Sequence, residues 1–92
     1  MTLGKFLRTL RGQRSVMDVA RDLGISRKSI YRYESGNLIT GMLPSADMLH
    51  RLLLYYGATP EQYVFAAGLR SEYLHQRRDR RDEPEHQDEQ VA

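Results

Sequence analysis

The sequence predicts an all-α fold, and three observations lead there. Apolar residues recur at three- and four-residue spacing, glycines fall where each periodic run ends, and no stretch alternates apolar and polar residues as a half-buried strand would. Leu3, Leu7 and Leu10, with Phe6 beside them, make the apolar face of a first helix that ends near Gly12. Ser15 is placed to cap a second helix with Val16, Val19, Ala20 and Leu23 inward. Gly24 stops it, because glycine takes the left-handed conformation after a helix without a Cβ penalty. Ser26 caps a third helix containing Ile30 and Tyr33, closed by Gly36. The connector over residues 37–44 is long for so small a bundle and unusually apolar, with Leu38, Ile39, Met42 and Leu43.

Ser45 opens a fourth helix with Leu49, Leu52, Leu53 and Tyr56 inward, and Gly57 ends it. Thr59-Pro60-Glu61-Gln62 is a compact start signal: Thr59 caps, Pro60 suits the first helical position and Gln62 completes a capping box. The fifth helix reaches Gly68. Phe65, Leu69 and Tyr73 stand four residues apart, so it is free to continue past a kink at Gly68, or as a sixth helix, to about Arg81. From Asp82 onward there is only acid, Gln and Pro84, the composition of a disordered acidic tail. The expected organisation is a five-helix bundle over residues 1–68, a basic helical extension over 69–81 and an acidic disordered tail over 82–92.

Composition narrows the function. A chain of 92 residues with a 40% apolar fraction supplies one modest core and a tail. There is no cysteine, hence no disulfide and no thiolate metal site. No apolar run approaches the roughly 20 residues of a membrane span, and the N-terminus lacks the apolar stretch of a signal peptide. A soluble, cytoplasmic protein is expected. His50, His75 and His86 share no metal-ligand spacing, and no glycine-rich phosphate loop follows a strand, so neither an enzyme nor a cofactor or metal is expected. The net charge of +2 conceals an asymmetry: residues 1–36 carry a balance of +5, residues 70–81 one of +3 and residues 82–92 one of −5. A basic front half suits a polyanion, because phosphate neutralisation and counterion release supply most of the affinity for nucleic acid.

Residues 16–34 decide the functional reading. Two short helices crossing steeply need a small residue on the first, a turn residue tolerant of positive φ four positions later, and an aliphatic then a bulky apolar residue at i and i+3 on the second. Ala20, Gly24, Ile30 and Tyr33 fill those positions, with Val19 and Ile25 closing the gaps. The text Ser15-Val16-Met17-Asp18-Val19-Ala20-Arg21-Asp22-Leu23-Gly24-Ile25-Ser26, followed by Arg27-Lys28-Ser29-Ile30-Tyr31-Arg32-Tyr33-Glu34-Ser35-Gly36, resembles the Cro/cI-type (XRE-like) helix-turn-helix family of phage and bacterial repressors. The resemblance covers about residues 3–67 and implies a lambda-repressor-like bundle that lays its third helix, about residues 27–35, in the major groove of double-stranded DNA.

Carried onto this sequence, the resemblance places Arg27, Lys28 and Arg32 against base edges, where an Arg fork matches guanine O6 and N7. Ser26 and Ser29 would reach phosphates at the helix start, Arg11 and Arg14 would touch phosphate from beside helix two, and Tyr31 is either a backbone contact or an exposed aromatic. Glu34 resembles the family's structural glutamate, bracing the helix end. Three features depart from the family pattern. Val16 stands where a glutamine often anchors phosphate, the first interhelical segment is short, and the stretch between Gly36 and Pro44 is long. Such modules usually pair on two half-sites, and Leu38, Ile39, Met42, Leu54, Tyr55, Phe65, Leu69 and Tyr73 exceed what a small core needs, so a homodimer through helix five and its extension, with or without the apolar loop, is expected. The competing reading is an antitoxin or anti-repressor that acts mainly on another protein, with a small partner bound through the C-terminal tail.

Overall fold

The computed structural model describes residues 1–35 and 41–91, with side chains as far as residue 76. Among these the chain forms five α-helices and no strand: α1 (Leu3–Arg11), α2 (Val16–Leu23), α3 (Arg27–Glu34), α4 (Ala46–Tyr56) and α5 (Pro60–Val91). Each start is set by local chemistry. The Oγ atoms of Thr2, Ser15, Ser26 and Ser45 accept from the backbone N–H three residues on, at 3.0–3.1 Å, satisfying a donor the helix itself leaves orphaned. At α5 the capping box is reciprocal: the Gln62 N–H donates to Thr59 Oγ1 (3.1 Å) and the Thr59 N–H to Gln62 Oε1 (2.9 Å).

Two helix ends share one geometry. Gly24 and Gly57 take φ of 70° and 71°, and the residue after each returns its N–H to a carbonyl of the last turn, Ile25 to Ala20 and Ala58 to Leu53, both at 3.0 Å. These are Schellman closures, which use glycine because a Cβ at positive φ is strained.

The core gathers Leu3, Phe6 and Leu7 of α1, Val16, Val19, Ala20 and Leu23 of α2, Ile30 of α3, Leu49, Leu52, Leu53 and Tyr56 of α4, and Ala66 and Leu69 of α5. Polar arms tie elements that share little apolar contact. Arg51 Nη2 donates to the Leu23 carbonyl at the end of α2 (2.7 Å), and Arg70 Nε to the Pro44 carbonyl ahead of α4 (2.9 Å). Of the apolar residues that seemed surplus, Leu69 joins the core and Met42, Tyr55 and Tyr73 are half-buried, whereas Leu54 and Phe65 stay exposed. Leu38 and Ile39 lie outside the described residues.

Of the two courses open to the chain after Gly68, the described residues show continuation: α5 runs through residues 68 and 81 as one helix. Residues 82–91, the stretch expected as an acidic tail, carry a helical backbone continuous with α5. Missing apolar periodicity removes a reason to pack, not a reason to be helical, and the Glu and Gln residues of this stretch are good helix formers. Pro84 is the weak link, because its ring lacks the N–H that a helix interior uses.

Candidate nucleic-acid interface

The turn between α2 and α3 is three residues long, Gly24-Ile25-Ser26, and Ile25 is half-buried against the core. α3 then buries one residue almost completely, Ile30 at 1% exposure, and half-buries Tyr33. Its other side carries Arg27, Lys28, Tyr31, Arg32 and Ser35, which together line one shallow, open concavity. Arg27, Lys28, Tyr31 and Arg32 are all exposed. The helix is thus a thin wedge with a single anchoring aliphatic and a broad cationic outer surface.

Glu34, the acid of α3, is turned away from that surface. It meets Arg11 of α1 in a fork: Arg11 Nε donates to Glu34 Oε2 at 2.7 Å and Nη2 to Oε1 at 3.1 Å. Both side chains are at most one-tenth exposed. Arg11 Nη1 also donates to the Arg14 carbonyl (2.8 Å), so each guanidinium nitrogen has a partner. The hydrogen bond that Arg11 donates to Glu34 raises the Arg11 pKa, against the opposing effect of burial. Two consequences follow for the surface. The outer face of α3 is left with cations and no acid from its own helix, and α1 is locked to the last turn of α3. The backbone adds a second tie there, the Met42 N–H donating to the Arg32 carbonyl at 3.1 Å.

Residues 2–63 match the family model described as a helix-turn-helix domain. The chain belongs to that helix-turn-helix family. No curated protein and no solved structure matches it. The family agrees with the XRE-like resemblance of residues 3–67, and DNA binding through the helix-turn-helix is the activity that goes with it.

Within this helix-turn-helix protein the expected base-facing residues Arg27, Lys28 and Arg32 share one concavity. Ser26 and Ser29 stand at the start of α3 with their hydroxyls hydrogen-bonded to each other at 2.9 Å. Arg14 is exposed, donates from Nη1 to the Leu10 carbonyl (3.3 Å) and holds its guanidinium 5.7 Å from the centre of the Tyr56 ring. Tyr56 itself is buried, and its phenol is pushed up to about 12 by that burial, with the nearby Glu34 carboxylate adding to the shift. Arg11 needs correction: it was expected to reach phosphate, but its fork is committed to Glu34 inside the protein and only 8% of its surface is exposed. Val16, at the position of the family's glutamine, is buried in the core. Ser35 was not anticipated on the outer face; its place eight residues after Arg27, two turns on, was the available signal.

Proposed function

We propose that this protein is a sequence-specific, double-stranded-DNA-binding transcriptional regulator that acts as a repressor by occupying a promoter. It works as a binding protein in the cytoplasm, at the nucleoid, and not as an enzyme. One observation carries the reading: the second helix of the helix-turn-helix presents Arg27, Lys28 and Arg32 on a single exposed face, while its acid is spent internally on Arg11. A helix of that kind in the major groove meets phosphate charge on both walls and base acceptors on the floor, and an Arg fork fits guanine O6 and N7. In this scheme Ser26, Ser29 and Arg14 serve as backbone contacts.

Pairing into a homodimer completes the scheme, because one such module buries little surface and reads few bases. Leu54, Val64, Phe65 and Leu74 are 64%, 74%, 47% and 41% exposed, and three of them lie on α5. The same exposed apolar residues support the second reading, an antitoxin or anti-repressor for which a small protein partner takes the place of the second copy.

The decisive experiment is selection of bound duplexes from a random library at two salt concentrations, with wild type and Arg32→Ala side by side. A two-fold symmetric consensus that loosens at one base per half-site in the variant is expected. Binding without a consensus that vanishes as salt rises would refute specific regulation and favour the protein-partner reading.

A further inference from the structure

We infer that Tyr31 is a base-reading residue whose ring packs against the C5-methyl group of a thymine, an inference that rests on the proposed docking of α3 in the major groove. The sequence left Tyr31 between a backbone contact and an idle surface aromatic, and its surroundings decide between them. At about 100° per residue around a helix, Arg27, Tyr31, Ser35, Lys28 and Arg32 project at about 0°, 40°, 80°, 100° and 140°. The concavity those residues line is therefore an arc bounded by two arginines, with Tyr31 inside it. Phosphates form the walls of a groove and bases its floor, so a side chain within the arc faces the floor.

The chemistry agrees with the position. Tyr31 is the large apolar surface of the concavity and is 59% exposed, while its neighbours there are two arginines, a lysine and a serine. A ring left that open gains from desolvation only against an apolar partner. Among the groups that bases show in the major groove, the thymine methyl is the apolar one; the rest are hydrogen-bond donors and acceptors. The ring is also rigid, with two side-chain torsions, so it confers position on the contact at little entropic cost. The cations beside it neutralise phosphate or fork guanine, leaving thymine recognition to Tyr31.

The test combines duplex selection with an atom-level substitution in the DNA. Wild type, Tyr31→Ala and Tyr31→Phe are each taken through selection, and folding of the variants is checked by circular dichroism. Wild type is then titrated against its consensus duplex with each conserved thymine replaced in turn by deoxyuridine, which lacks only the C5-methyl. At one thymine per half-site the wild-type affinity should fall about 4-fold, the value of one buried methyl. Tyr31→Ala should bind the thymine and uridine duplexes equally and lose thymine preference at that position, and Tyr31→Phe should keep both. A Tyr31→Ala consensus that retains every thymine, with affinity lowered evenly across sequences, would make Tyr31 a backbone contact and overturn the inference. Failure of wild type to select any consensus would overturn the parent reading and this one with it, so the two failures are told apart.

Discussion

Replacing Glu34 by alanine should destabilise the protein far more than its surface-helix position suggests. The carboxylate accepts two bonds from Arg11 at 2.7 and 3.1 Å, and the two side chains are 8% and 10% exposed. Removing it leaves the guanidinium in place with the Arg14 carbonyl as its one remaining strong acceptor. Stranding one member of a buried pair costs about 3–5 kcal/mol, against a total of about 5–15 kcal/mol for a domain. At about 4–8 °C per kcal/mol for a chain of this size, the midpoint should drop by at least about 12 °C.

The assay is urea and thermal unfolding followed by far-ultraviolet circular dichroism, for Glu34→Ala, Arg11→Met and the double variant Arg11→Met/Glu34→Met. Because an apolar pair of similar volume removes both desolvation penalties at once, the double variant should be more stable than either single one. A strongly non-additive cycle is therefore the expected signature. The reasoning fails if Glu34→Ala lies within about 1 kcal/mol of wild type, or if the two single losses simply add. Either result would mean that the fork is a solvated surface pair in solution.

Two glycines should respond with opposite signs. Gly24→Ala forces a Cβ into φ 70° with no atom within 4 Å to relieve or worsen it, so the cost is conformational strain of about 1–2 kcal/mol. Gly68→Ala, in the interior of α5 with equally open space, should stabilise the monomeric fold by about 0.5–1 kcal/mol. Chemical denaturation reads both, and equal signs would contradict the assignment. Stability should also fall in strong alkali. An unfolded tyrosine ionises near pH 10, whereas folded Tyr56 keeps its proton to about 12. Between those values the unfolded state binds fewer protons, so the Tyr56 contribution to stability is constant below pH 10 and declines through pH 12, by at most roughly 3 kcal/mol. Tyr56→Phe should flatten much of that decline, leaving the contributions of Tyr55, raised by its hydrogen bond to Asp22, and Tyr33, raised by burial; an unchanged slope would mean that Tyr56 is solvated.

What could be read from the sequence is what acts over one turn of chain. The caps at Ser15, Ser26, Ser45 and Thr59 and the closures at Gly24 and Gly57 were legible, because their chemistry joins residues two to five apart. Glu34 was legible as a brace, yet its partner was not: Arg11 is 23 residues away, and an arginine in the last turn of a helix looks like any solvated charge. The row on α5 divides between core and surface, with Leu69 buried and Tyr73 half-buried. Phe65, Leu69 and Tyr73 make an apolar row, but the fully buried position is Ala66, and Phe65 lies outside with its ring edge-on to Phe6 at 5.0 Å. A buried alanine marks close approach of backbones, which hydropathy does not register.

The way α3 is held follows from what a reading helix must do. A helix that gives most of its surface to DNA has little left to bury, and α3 has Ile30 as its one fully buried side chain. Burial of one such residue supplies about 1.5–3 kcal/mol, and it is non-directional: the helix could rock or rotate about Ile30 at small loss. Directional bonds at the ends remove that freedom. Ser26 fixes the first turn through the Ser29 N–H, and the last turn is held from two sides, by Arg11 through Glu34 and by Met42 through the Arg32 carbonyl. The polar groups at those ends therefore determine where Arg27, Lys28, Tyr31 and Arg32 point. On this argument the double variant Arg11→Met/Glu34→Met, stable as it should be, would still bind DNA less specifically than wild type, because an apolar contact replaces the fork's angle with a surface that slides. Duplex selection with that folded variant should return a broadened consensus, and a consensus as sharp as wild type would show that Ile30 and the Ser26 cap suffice to orient the helix.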